Sequence, residues 1–411
     1  MTSSARRPLH RALGPASAVL IAVATLRCGL LGAPGGYSGG GEDPGDAQPD
    51  ASSLGDGPST QDALVLPDGN VPGSIGTITL MAGERDPTSA DDDPAWSADA
   101  WSGILDANGA VASWRIEKSA PLVGSFDSAA LLGNKWVMIN VGFGLNGARG
   151  TALQQTSWSP GIAGDWKAGR ANGAPGGLDE TTRAFFGTHL AYVGGTRTVA
   201  VDGGTNTFFT NEVHVADVDT TANALGASSD TGVQLLHARS RAGVLLAGTS
   251  FFVAGGRAPV AGGITASVER SKVDLGAGTF EAFTDQPPMK DGAAEHKVFH
   301  PALVAADGYL WVSGGRTNGA SAPTDVVLSS AIDPATGALG EFQSATKLPK
   351  PLHDHAFVAF KGRLYVAGGV TGMGRSDEVY SAAIGAGGTL GAWEPNAKLP
   401  GARSDFVALT Y

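Results

Sequence analysis

The chain has 411 residues, of which 61 are Gly and 23 Pro, and only 16% are charged. Gly and Pro are the weakest helix formers, so this composition excludes a protein of long helices and suits an all-β fold with many tight turns. A formal charge of -11 argues against nucleic acid and anionic membrane surfaces as partners.

Arg6, Arg7 and Arg11 stand before the apolar run 16–26, "ASAVLIAVATL", which is too short to span a membrane. The chain's only cysteine, Cys28, follows directly. Residues 1–28 thus read as an export signal, and the segment resembles a bacterial lipoprotein signal, which implies a lipidated Cys28. The resemblance is incomplete: Thr25 and Arg27 stand where that family has Leu and a small residue, and ordinary secretion is the other reading. Residues 29–72 carry seven acids and no Lys or Arg among Gly, Pro and Ser. Such a stretch buries too little apolar surface to offset its ordering entropy and is expected to be a flexible tether. Residues 73–411 hold no cysteine, so no disulfide is expected there.

Beyond the tether one short apolar run ending in glycines recurs. It reads "TLMAGE" at Gly83, "LAYVGGTRT" at Gly194, "SFFVAGGRA" at Gly255, "YLWVSGGRT" at Gly314 and "RLYVAGGVT" at Gly368; "WVMINV" at Asn140 fills the remaining place. The intervals are 57, 54, 61, 59 and 54 residues. A second marker runs in phase. Five residues before an aromatic stand Gly109, Gly161, Gly278, Gly337 and Gly388, and Asn223 takes the place in the third copy. Gly and Asn tolerate a left-handed backbone best, as a tight hairpin requires. The last unit resolves into strands at 355–360, 363–368, 378–384 and 390–395.

Six such units, marked by the double-glycine strand and a downstream Trp or Phe, with Ser228 in the aromatic place of the third, resemble kelch repeats over residues 74–411. The resemblance implies a six-bladed β-propeller of four-stranded antiparallel blades. Asn140-Val141 and Gly83-Glu84 depart from the glycine pair. The folded part begins with a second-type strand, "GTITLMAG", and "SDFVALTY" (404–411) matches first-type strands. The C-terminal strand is therefore expected to close the ring and remove two exposed sheet edges.

Specific chemistry is sparse. The copper-radical chemistry of galactose oxidase, a kelch-type propeller, needs a Tyr–Cys crosslink that this chain cannot make. No Gly-x-Ser-x-Gly, His-Glu-x-x-His or phosphate-loop motif occurs. His296, His300, His353 and His355 fall in two successive connections that share one face, so a metal or acid–base site is conceivable. Their positions do not align between repeats, and no carboxylate is recognised at matching spacing, which favours solvated or hydrogen-bonded loop histidines. Asp91-Asp92-Asp93 could ligate calcium but reads as a solvated loop. Trp114, Trp166 and Trp393 hold a fixed place in the repeat and are expected to pack between blades. Arg257 and Arg316 follow the double glycine, Arg197 stands three after Gly194, and Arg375 lies in the matching connection of the last unit. These arginines should gather at one end, where they could meet carboxylate-bearing partners or pair with loop acids such as Asp377 or Glu180.

The expectation is an exported, tethered binding or scaffold module, monomeric, with no catalytic residue, metal or cofactor. Its ligand would be a protein or carbohydrate, acidic in character, met through Arg197, Arg257, Arg316, Arg375, His300 and His355. The membrane would be touched only through lipid on Cys28. The alternative is an exported enzyme acting on sugar acids, of the sialate-epimerase kind.

Overall fold

A computed structural model describes residues 74–85, 96–119, 125–132, 135–143, 149–159, 162–168, 170–171, 175, 178–201, 204–317 and 322–410. The leader, Cys28, the tether and Asp91-Asp92-Asp93 lie outside them.

The described chain is all-β, its one helical turn being the 3-10 segment Ala386–Gly388. Six sheets, antiparallel except for one short parallel pair between Ala224–Leu225 and Arg170–Ala171, carry almost all the strands. In the first, Gly76–Glu84 pairs with Trp96–Leu105, which pairs with Val111–Glu117; the other edge of Gly76–Glu84 takes Val407–Thr410, Ile78 opposite Thr410 and Met81 opposite Val407. The second runs Ser125–Leu132, Lys135–Phe143, Arg149–Ser159 and Ile162–Ala168. The third is built on Thr182–Phe186, His189–Val201 and Gly204–Asp219, with shorter strands beside them. Gly243–Ala247, Ser250–Ala254 and Val268–Asp274 lead the fourth sheet, and Ala302–Ala306, Tyr309–Ser313, Val327–Ala331 and Gln343–Ser344 form the fifth. The sixth holds Ala356–Phe360, Arg363–Ala367, Val379–Ala383 and Glu394–Pro395. Its outer strand is far shorter than the sequence suggests, since 390–395 pairs regularly only at its end.

The leading strands of consecutive sheets touch one another. Thr182–Phe186 contacts both Ser125–Leu132 and Gly243–Ala247; Ala302–Ala306 contacts Gly243–Ala247 and Ala356–Phe360. Val407–Thr410 contacts Ala356–Phe360 on one side and Ser125–Leu132 on the other. Each sheet therefore has a neighbour on both faces, which explains unbroken apolar runs in place of polar alternation. Ser250–Ala254, "SFFVA", is buried at every residue. Between the third and fourth sheets the rings of Phe186, Phe251 and Phe280 meet edge-to-face at 5.1 to 6.3 Å.

The tryptophans sit between sheets. The indole of Trp114 donates to the carbonyl of Ala397 at 2.9 Å, that of Trp166 to Lys118 at 2.8 Å, and that of Trp393 to Thr346 at 3.1 Å. The hairpin positions singled out by sequence are left-handed wherever described: Gly109, Asn223, Gly278, Gly337 and Gly388 all have φ between 52° and 78°.

Candidate functional site

The double glycines form a stitch between neighbouring sheets. At Gly255, φ is +63° and a Cβ would stand 2.4 Å from the carbonyl oxygen of Val298, so no other residue fits. Gly256 then donates its N–H to that same oxygen at 2.8 Å. The bond recurs from Gly195 to Arg239, Gly315 to Leu352 and Gly369 to Arg403, at 2.7, 2.9 and 2.8 Å. Each acceptor belongs to the segment leading into the next sheet. Gly83 has the second glycine's role, its Cβ position meeting Ser404 of its own sheet at 2.4 Å. The first copy is therefore one residue out of step with the alignment that sequence suggests.

The same lead-in segments carry a feature that sequence reasoning missed. Glu180, Arg241, His300, Asp354 and Asp405 all have φ between 52° and 54°, at equivalent places in five sheets. A left-handed backbone is uncommon outside Gly and Asn and points to function or tight constraint. These residues link laterally: the Arg241 N–H donates to the Glu180 carbonyl at 3.3 Å, His300 to Arg241 at 2.9 Å, and Asp405 to Asp354 at 3.0 Å. Their side chains link as well. Arg241 forms an ion pair with Glu180. Asp354, with a side chain 1% exposed, accepts from Arg316 at 2.9 Å and pairs with His353 Nδ1 at 2.6 Å, and its other oxygen lies 3.1 Å from His300 Nδ1. Burial alone would raise the Asp354 carboxyl, but His300 and His353 pull it well below the usual carboxylate range.

The four connection histidines are therefore buried and not solvated loop residues, and Asp354, between His353 and His355, supplies the carboxylate. His300 is lowered by burial, with Asp354 opposing. His355 is pushed down to about 4 by burial, and its Nε2 lies 2.7 Å from the Ser313 hydroxyl. His296 is lowered, again mainly by burial.

The predicted arginines divide. Arg197 pairs with Glu212 at 2.7 Å, and Glu212 also holds His214 at 2.8 Å. Arg375 pairs with Glu84 at 2.6 Å and donates through Nε to the Ser404 hydroxyl at 3.1 Å. Arg316 holds Asp354. Arg257 is exposed and has no carboxylate within ion-pair distance among the described residues. Its guanidinium lies 5.7 Å from the ring of buried Phe299, with that of Arg316 at 5.9 Å. The acids that sequence offered as their partners are engaged elsewhere, Glu180 with Arg241 and Asp377 with Lys398.

A further pair was invisible in the sequence. Arg239 and Glu269 are almost fully buried and form an ion pair. Glu269 accepts the backbone N–H groups of Leu236 and His237 at 2.6 and 3.1 Å, and Arg239 donates to the carbonyls of Gly255 and Ser267. The pair pins the fourth lead-in segment. At the short-turn end, a cavity of about 430 Å³ lies between the third and fourth sheets, lined by Val215, Asp217, Ser229, Thr231, Thr279 and Phe280 among others. Among the described residues no His, Cys, Asp or Glu group of three or more could hold a metal ion.

Fold and site together define an all-β protein whose architecture fits a β-propeller, with Arg257, His300, Arg316, Asp354 and Arg375 on one set of connections. No protein-family model matches the chain, and no curated protein does. Among solved structures, the one titled "Structure of YjhT" is similar with a TM-score of 0.51 and 15% identity, covering 71% of this chain and 89% of that one. At that identity the likeness speaks for the fold alone.

Proposed function

We propose that the chain is an exported kelch-type propeller of six blades that serves as a binding module, meeting an acidic partner on the face that carries Arg257. The six sheets, the cyclic contacts of their leading strands and the docking of Val407–Thr410 on Gly76–Glu84 support a ring closed by the C-terminal strand. The observation that carries the function is Arg257. Its three companions are matched by Glu212, Asp354 and Glu84, whereas this guanidinium stands exposed against an aromatic ring without a described counter-charge. Leu236 and Val260, each 50% exposed, lie on connections of the same sheet and favour a protein partner over a carbohydrate. Binding residues favour loops on a rigid scaffold, and this face holds the long connections.

Orientation agrees with tethering. Ile75 bonds to Leu105 at the short-turn end, and Gly76–Glu84 runs from there toward the Arg257 face. A tether at 29–72 anchored through Cys28 would join the domain at the end opposite that face. A sugar-acid enzyme, the second reading, would draw on His300, His353 and Asp354, but their side chains are at most 7% exposed.

The test is retention of the protein on an immobilised Asp/Glu-rich peptide at 0.15 M salt. Arg257→Ala should weaken retention about tenfold, as expected for a lost charge-assisted hydrogen bond. Equal retention by wild type and variant rejects the proposed face. Turnover of sugar acids by the wild type would favour the enzyme.

A further inference from the structure

Independent of any ligand, the seam between Val407–Thr410 and Gly76–Glu84 places one carboxyl where it has no cation of its own. Asp405 stands in the left-handed place just ahead of the strand and is 4% exposed. One oxygen, Oδ2, accepts from the Ser404 hydroxyl at 3.1 Å; Oδ1 is buried without a hydrogen-bond partner. Ser404 is also the seam's bridging residue, exchanging backbone bonds with Glu84 at 2.8 and 3.0 Å.

The groups facing Asp405 come from three sheets. From the sixth comes Asp354, bonded to it through the backbone; from the first, Glu84; from the fifth, Arg316. Arg316 is already committed to Asp354, and Arg375 to Glu84. Arg403, two residues earlier in the chain, turns to Asp99 at 2.9 Å and stacks 4.6 Å over Trp101. Arg316, Arg375 and Arg403 each have their own carboxylate, and the fourth carboxyl, that of Asp405, is left over. We propose that this seam is a proton-held latch: Asp405 keeps its proton while Val407–Thr410 is docked, and losing that proton to water on alkalinisation loosens the strand.

The electrostatics agree. Burial, then the Asp354 and Glu84 charges, raise the Asp405 carboxyl well above its ordinary value of 3.8, against smaller opposing effects of Ser404 and Arg316. An acid raised in the docked state binds its proton more tightly there than when exposed. Its contribution is therefore complete below the ordinary carboxylate range and is lost as pH rises through the docked-state value. Asp354 works in the opposite sense and in a separate window, below 3.8, so the two do not cancel.

Amide hydrogen exchange in the full chain tests the latch, with rates corrected for the intrinsic pH effect. Protection of the amides at 407–410 should fall as pH rises above the ordinary carboxylate range and through the docked-state value, by up to about tenfold per pH unit, the limit for one proton. Amides of Val379–Ala383 should not lose protection over the same rise. Asp405→Asn, neutral and of the same shape, should flatten the profile at 407–410. If that variant fails to fold, the wild-type comparison of the two strands still decides. A flat profile at 407–410, the same slope in Val379–Ala383, or an unchanged slope in a folded Asn variant overturns the proposal.

Discussion

Replacing Arg316 by alanine and, separately, Arg257 by alanine should separate two arginines that occupy equivalent places in the repeat. Arg316 is 15% exposed and holds a carboxylate that is 1% exposed. Removing one partner of a buried pair costs about 3–5 kcal/mol, because the other charge is left without compensation. Asp354 would keep His353 at 2.6 Å and His300 at 3.1 Å, so the loss should fall to about 2–3 kcal/mol. Arg257 offers no such pair, and its contact with the Phe299 ring is worth about 0.5–1 kcal/mol at an exposed site. Urea unfolding followed by tryptophan fluorescence measures both, and an unchanged m-value would show that stability alone had moved. The midpoint should drop clearly for Arg316→Ala and barely for Arg257→Ala. Equal losses, or a larger one at Arg257, would refute the division into a structural and a free arginine.

Two other outcomes follow from buried charge. Glu269→Gln should cost about 3–5 kcal/mol by leaving the Arg239 guanidinium buried without its counter-ion, and a loss below about 1 kcal/mol in urea unfolding would contradict that assignment. His355 has its folded value lowered to about 4 from 6.5, so between these pH values the unfolded chain binds more protons and stability is lost on acidification, by about 3 kcal/mol in total. His355→Gln should remove that part of the pH dependence of Tm; an unchanged acid limb would count against the burial of a neutral imidazole.

The repeat was legible because its marks answer local steric demands. The hairpin glycines and Asn223 need a left-handed backbone, and Gly255 must leave room for a carbonyl of the next sheet. Few residue types satisfy such demands, so the requirement is written directly in the letters. The tryptophans were legible for a similar reason, since one place in each unit must bridge to a neighbour. The one-residue offset at Gly83 was not, because a single glycine does not say which of two roles it fills.

The five left-handed places escaped notice because they are held by Glu, Arg, His, Asp and Asp, with no one residue type common to all. Their common property is backbone conformation, and a single sequence shows that only through spacing. The spacing is regular: Glu180 to Gly195, Arg241 to Gly256, His300 to Gly315 and Asp354 to Gly369 are each fifteen residues. Counted from the second glycine, His300 and Asp354 align, whereas the histidines themselves stand at unlike positions in the two repeats. Arg239 and Glu269 left even less signal, since arginine and glutamate are seldom fully buried unless paired, and their pairing spans thirty residues. A repeat of this kind fixes backbone places first and leaves each sheet free to fill them with different chemistry. The unmatched groups, Arg257 and Asp405, are therefore where this chain departs from its own symmetry, and both proposals rest on those departures.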